Sequence, residues 1–124
     1  MPESLSPMDQ TIICIAGAHR SGTSLLTRLL QQCGLYLGHE SEMMPPAEDN
    51  PDGFWENLRF VALNDEVLSA IGAAWDLPPR ERETFQGARF ASTRAQADVL
   101  IERCLHRPSW GWKDPGNSLN IHFW

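Results

Sequence analysis

Thr11-Ile-Ile-Cys-Ile-Ala-Gly-Ala-His-Arg-Ser-Gly-Thr-Ser24 is the stretch that decides the fold. Its first part, Thr11 to Ala16, is β-branched and apolar and ends at Gly17. Such a run reads as a buried strand of a parallel sheet. Beyond Gly22, apolar residues fall at Leu25, Leu26, Leu29, Leu30 and Cys33. That is helical spacing, and Gly34 is a good stop. The order is strand, glycine-bearing loop, helix, the opening unit of an α/β fold.

The loop between them carries chemistry. Gly17-Ala-His-Arg-Ser-Gly-Thr-Ser24 nearly fits the phosphate-loop pattern G-x-x-x-x-G-K-[ST]. Gly17, Gly22 and Ser24 are in place, but the lysine position holds Thr23, and the positive charge sits inside the loop at Arg20. Successive backbone N–H groups in such a loop form an anion nest, and the following helix aims its N-terminal dipole at the same point. Thr23 and Ser24 add hydroxyls. The pattern suits a phosphate or sulfate ester. Without the lysine that grips the β- and γ-phosphates, an ATPase or GTPase fits less well.

Working outward, residues 35–56 read as loop, with Pro45-Pro46 and Asn50-Pro-Asp-Gly53 as turn signals. Leu58 to Ile71 reads as a second helix stopped by Gly72. Residues 75–90 look irregular. Thr93-x-x-Gln96 resembles a capping box that opens a third helix through Leu105, ahead of Pro108. Trp110-Gly-Trp112 reads as a second strand, and a last helix is expected from Asn117. Residues 1–10, with two prolines and no periodicity, read as a loose tail. Two strands do not make a stable open sheet. The expectation is therefore part of a larger α/β domain, or a small one completed by a partner chain or a second copy.

The chain has 124 residues, enough for one modest core that buries about two thirds of the unfolded surface. Its longest clean apolar run, Ile12 to Ala18, is far shorter than the roughly 20 residues a membrane span needs. The net charge of −6 argues against nucleic acid as a partner. Charge is unevenly placed, however. Residues 39–66 hold eight acids against Arg59 alone, whereas residues 80–107 hold six arginines and four acids. Three cysteines, Cys14, Cys33 and Cys104, match no zinc spacing, and each lies in apolar sequence. They read as reduced, buried thiols of a cytoplasmic protein, and no metal site is expected.

His19-Arg-Ser-Gly-Thr-Ser24, Met44-Pro-Pro46, Asn50-Pro-Asp-Gly-Phe-Trp-Glu56, Leu63-Asn-Asp65 and Trp110-Gly-Trp-Lys-Asp-Pro115 occur in that order. The ordered set resembles a bacterial sulfotransferase family over residues 11–124, and the loop is similar to the 5′-phosphosulfate-binding loop of sulfotransferases. The resemblance implies a partial P-loop NTPase-like three-layer fold of parallel strands and flanking helices. It implies 3′-phosphoadenosine 5′-phosphosulfate (PAPS) as co-substrate, with no metal. The donor would lie against Gly17, Ala18, His19, Arg20, Ser21, Gly22, Thr23 and Ser24, with Arg20 stabilising the charge that develops on the leaving oxygen. A hydroxyl acceptor also needs a general base. Glu56 is chosen because it follows a stiff aromatic stretch, with Glu40, Glu42 and Glu48 as rivals. Two departures stand out. Gly116 replaces the family's arginine after Lys-Asp-Pro, and the family's 3′-phosphate site would lie beyond Trp124.

Two other functions fit parts of the sequence. Cys14-x5-Arg20-Ser21 matches the phosphatase signature C-x5-R-[ST], with Asp114-Pro115 as the general-acid segment. That chemistry needs a Cys14 thiolate of low pKa. The other is a non-catalytic anion- or nucleotide-binding module. Trp55 is the tryptophan best placed to stack on an acceptor, the other four reading as core. His39, His106 and His122 read as structural or surface residues.

Overall fold

The computed structural model describes residues 9–124, so most of the tail expected over residues 1–10 lies outside the described residues. The fold is mixed α/β. Strand β1 (Thr11–Ile15) leads to helix α1 (Thr23–Gln32). Helices α2 (Leu58–Ser69) and α3 (Ala91–Glu102) follow, then strand β2 (Ser109–Lys113). Short 3-10 turns cover Glu40–Glu42, Ala88–Phe90 and Pro115–Ser118. The two strands pair in parallel, from Thr11 opposite Ser109 to Ile15 opposite Lys113. Parallel neighbours require a long crossover, and the three helices fill it. Among the described residues the far edge of β2 takes a single further partner. Tyr36 donates to the Ser109 carbonyl at 3.1 Å and accepts from the Gly111 N–H at 3.0 Å.

Side chains alternate across the sheet, so each face builds its own core. Cys14, Trp110 and Trp112 point to one face, against Phe60, Leu63 and Val67 of α2, Ala97 and Leu100 of α3, and Phe85 and Phe90. Phe60 stacks on Trp112 with ring centroids 4.9 Å apart. Ile13 and Ile15 point to the other face and join Leu30, Leu35, Leu37, Met43 and Trp55. The close approach of the strands depends on Gly111, where a Cβ would stand 2.2 Å from the Ile13 carbonyl oxygen.

Several sequence expectations need correction. Helix α1 forms where its spacing placed it, but the residue it buries is Thr27, and Leu25, Leu26 and Leu29 are between 49% and 62% exposed. A helix laid on so narrow a sheet covers little more than one row of its side chains. Helix α3 starts at Ala91, out of the turn Ala88–Phe90. Thr93 therefore lies inside the helix, where its hydroxyl donates to the Phe90 carbonyl at 3.0 Å. Gln96 reaches sideways to Glu66 at 2.9 Å, so no capping box forms. The helix ends at Glu102, not Leu105. In place of a helix from Asn117 the chain makes the turn Pro115–Ser118. Trp75 is 58% exposed, so it is not core.

A buried polar network explains that turn. Asn64 of α2 and Asn117 and Asn120 beyond β2 are fully buried. The Asn64 amide donates to Asp114 Oδ2 at 2.8 Å and to Asn117 Oδ1 at 2.9 Å. Its oxygen accepts from Asn120 at 3.0 Å and from the Trp124 indole at 2.9 Å. The Trp112 indole and the Asn117 amide extend the network, the latter donating to the Ile15 carbonyl at 2.9 Å. An asparagine turned inward cannot continue a solvent-facing helix. The result is a C-terminal segment fastened to the end of β1, where the loop begins.

Candidate functional site

The loop leaves β1 at Ala16 and enters α1 at Thr23. Gly17 has φ 154°, and a Cβ there would stand 2.7 Å from Thr23 Cγ2 and 3.1 Å from Ser21 Oγ. The Gly17 N–H donates to Ser118 Oγ at 2.9 Å, and Ser21 Oγ donates to the Ala18 carbonyl at 2.6 Å. Arg20 adopts the left-handed conformation at φ 61°, a strained choice for a residue with a Cβ. Gly22, at φ 89°, precedes α1, and no side chain caps the helix. Its first N–H groups thus face the loop without a side-chain partner.

Opposite the loop stands the segment 47–56. Ala47 and Asn50 exchange backbone hydrogen bonds at 3.2 and 2.9 Å, and the Gly53 N–H closes the next turn onto Asn50 at 3.1 Å. Trp55 is also left-handed, at φ 61°, with its indole N–H on the Asp52 carbonyl at 3.0 Å. Asn57 then caps α2 by accepting from the Arg59 N–H at 3.0 Å. Glu56 falls just before the cap, outside the helix, so it is not a first-turn acid of α2.

Between these walls lies a cavity of about 420 Å³. His19, Arg20, Gly22, Thr23 and Ser24 line it, as do Arg28 of α1, Asp49, Asn50, Asp52, Trp55, Glu56 and Lys113. Gly17, Ala18 and Ser21 shape the loop from behind. His19 packs on Trp75, with ring centroids 4.8 Å apart. The loop wall is cationic and the facing wall acidic. Lys113, at the end of β2, is buried. Its ammonium donates to Glu56 Oε1 at 2.6 Å, to the Phe54 carbonyl at 3.2 Å and to Ser24 Oγ at 3.3 Å. Ser24 Oγ in turn donates to the Phe54 carbonyl at 3.2 Å.

The rivals of Glu56 lie elsewhere. Glu42 is held by Arg59, Arg103 and Asn57. Burial pushes its carboxyl up, but these hydrogen bonds and charges together hold it below the usual carboxylate range. Glu40 and Glu48 do not line the cavity. Asp114 points into the asparagine network. Burial pushes its carboxyl up, helped by the charges of Glu56 and Asp65 and opposed by hydrogen bonds from Asn64 and the Gly116 backbone. Cys14 packs against the main core and does not line the cavity. Burial, with the nearby Asp114 charge, raises its thiol to about 11, the opposite of what a nucleophile needs.

Three lining groups carry signals that the motif reading passed over. Arg28 stands four residues after Ser24, hence on the same helical face. Asp49 and Asp52 belong to the acidic stretch, and only the turn at Asn50 aims them at the loop. Among the described residues no group of three or more His, Cys, Asp and Glu side chains forms a metal-binding cluster, and no helix is long and apolar enough to cross a membrane. No protein-family model matches the chain, and neither a curated protein nor a solved structure is significantly similar to it.

Proposed function

We propose that this cavity binds the 5′-phosphosulfate end of PAPS and that the protein transfers its sulfuryl group to an acceptor hydroxyl. The observation that carries the reading is the uncapped start of α1 behind a glycine loop, with Arg20 beside it and a buried lysine at its first turn. The loop fits an oxyanion on its own geometry. A side chain at Gly17 would press on Thr23 and Ser21 within the loop, and the free N–H groups of α1 ask for an acceptor. We take the two parallel strands and their helices as part of a P-loop NTPase-like layered fold. The free thiols suit a reducing compartment, and the proposal places the protein in the cytoplasm.

PAPS supplies a sulfuryl group on a good leaving group. The S–O bond to the phosphate breaks, and a new S–O bond forms to the acceptor oxygen. The residues of the chain hold, screen and move a proton. The uncapped N–H groups at the start of α1 and the Thr23 hydroxyl fix the anion, and the Ser24 hydroxyl joins them on leaving the Phe54 carbonyl. Arg20 and Arg28 balance charge as it gathers on the departing phosphate, the main source of rate in such transfers. Glu56, on the opposite wall, takes the proton of the acceptor hydroxyl. Trp55 and the acids Asp49 and Asp52 face the space left for the acceptor.

The phosphatase alternative has no comparable support, because Cys14 is a core thiol outside the cavity. The test is incubation of the protein with PAPS and a panel of sugar, phenol and lipid alcohols, read by mass spectrometry for sulfated product. Sulfation lost in Arg20→Ala and in Glu56→Gln is the expected result. A folded protein that binds the donor product yet sulfates nothing favours the non-catalytic binding module.

A further inference from the structure

The loop lacks the lysine of the phosphate-loop pattern, yet a lysine arrives at the same helix start from another strand. Lys113 closes β2, and β2 lies beside β1 in parallel register, with Lys113 opposite Ile15. The loop and this lysine therefore leave the same end of the sheet. Its side chain is 5% exposed, and that of Glu56 is 9% exposed. All three ammonium hydrogens are used, on Glu56, the Phe54 carbonyl and Ser24 Oγ. Glu56 is bound through Oε1 alone, and its Oε2 makes no hydrogen bond among the described residues. The ammonium is fully partnered while the carboxylate keeps one oxygen free, so leaving Glu56 is compensated only where another anion takes its place.

From this geometry we infer that Lys113 is the cation missing from the loop, and that it passes from Glu56 to the bound anion. In the empty site the ammonium occupies Glu56 Oε1 and stands between that oxygen and an incoming hydroxyl. An anion seated at Ser24 offers Lys113 a second, stronger negative partner. Lys113 turns to it, and Glu56 is released to accept the proton of the acceptor hydroxyl. No covalent bond changes in this exchange. The ammonium keeps its proton, and Glu56 becomes available only once the donor is present. This inference rests on the proposed reading of residues 17–24 as the donor anion site.

The sign of one substitution separates the exchange from a fixed brace. The probe is 3′-phosphoadenosine 5′-phosphate, titrated calorimetrically into the full chain, with thermal melts confirming each fold. If Lys113 is shared, Glu56→Gln leaves it entirely to the anion, and affinity rises. Lys113→Met lowers affinity by about tenfold or more, the scale of one charge-assisted hydrogen bond. The decisive arm is the double variant Lys113→Met/Glu56→Gln, which removes both charges together and leaves neither partner buried as an unpaired ion. There the gain from Glu56→Gln must vanish. A gain that persists without Lys113 is simple repulsion between Glu56 and the anion, and it overturns the exchange. Unchanged or weaker binding in Glu56→Gln makes the pair a structural brace and also overturns it. Failure of the wild-type protein to bind the probe removes the donor reading, and this inference with it. Wild-type binding with the wrong sign in Glu56→Gln removes the exchange alone.

Discussion

Replacing Asn64 should cost the protein a large share of its stability, because one buried side chain holds four partners. Its amide donates to Asp114 and Asn117, and its oxygen accepts from Asn120 and Trp124, all between 2.8 and 3.0 Å. Each hydrogen bond contributes about 1 kcal/mol net, but an orphaned buried group costs about 1–3 kcal/mol. Water entering the space vacated in Asn64→Ala returns part of that, which leaves a loss of about 3–5 kcal/mol. Asn64→Asp is the sharper probe. It keeps the acceptor for Asn120 and Trp124 but sets a second carboxylate where an amide now stands 2.8 Å from Asp114 Oδ2. Asp114 is already raised by burial, and a carboxylate neighbour raises it further. In the window between the ordinary carboxylate value and the raised one, the folded state holds a proton that the unfolded state has released. Stability therefore falls as pH rises through that window, and the penalty is absent below it. Urea unfolding followed by tryptophan fluorescence, at about pH 5 and about pH 7.5, reads both effects. The Asn64→Asp deficit should shrink at the lower pH, whereas that of Asn64→Ala should change much less. A cost below about 1 kcal/mol for Asn64→Ala, or parallel pH profiles for wild type and Asn64→Asp, would refute the reasoning.

The remaining predictions concern single contacts. Gly111→Ala puts a Cβ 2.2 Å from the Ile13 carbonyl oxygen, so the strands must part. A loss above about 3 kcal/mol, seen as no cooperative thermal transition, is expected, and a near-wild-type melt would contradict the register. Gly17→Ala meets Thr23 Cγ2 at 2.7 Å and should weaken binding of 3′-phosphoadenosine 5′-phosphate by on the order of tenfold while the fold survives. Unchanged affinity would mean that the loop does not touch the ligand. Cys33 is exposed, whereas the Cys14 thiol is raised to about 11. At about pH 8, iodoacetamide should label Cys33 on the order of a hundredfold faster, with Cys14 accelerating as pH rises. Preferential labelling of Cys14, blocked by vanadate, would restore the phosphatase reading.

The strand, loop and helix at residues 11–32 were legible because each follows from local chemistry. A β-branched run, a glycine turn and a 3.6-residue period leave little choice. The second strand was legible at Trp110-Gly-Trp112, but its pairing with β1 was not, since periodicity carries no partner. The start of α3 was misplaced by three residues, with Phe90 and not Thr93 at the cap position, because Thr93 and Gln96 imitate a cap that only tertiary contacts refuse. The stripe Leu25, Leu26 and Leu29 marks a helix correctly but says nothing about how wide a sheet lies beneath it. The cavity was half legible. Arg20 and Glu56, singled out separately by the motifs, line one cavity. Lys113, which joins them, is 57 residues from Glu56 and 89 from Ser24, and no spacing rule reaches that far. The asparagine network was hidden for a similar reason. Buried asparagines look like loop residues until their hydrogen bonds are seen to close on one another.

The central claim is that residues 17–24 and Lys113 form an anion site at the start of α1. Calorimetric titration with 3′-phosphoadenosine 5′-phosphate, beside an Arg20→Ala control, tests it most directly. Arg20 is exposed and makes no ion pair among the described residues, so its removal should leave the fold intact. The account predicts saturable one-site binding that weakens by at least about tenfold in the control. Equal binding by both proteins, or none by a wild-type protein that melts cooperatively, would contradict it.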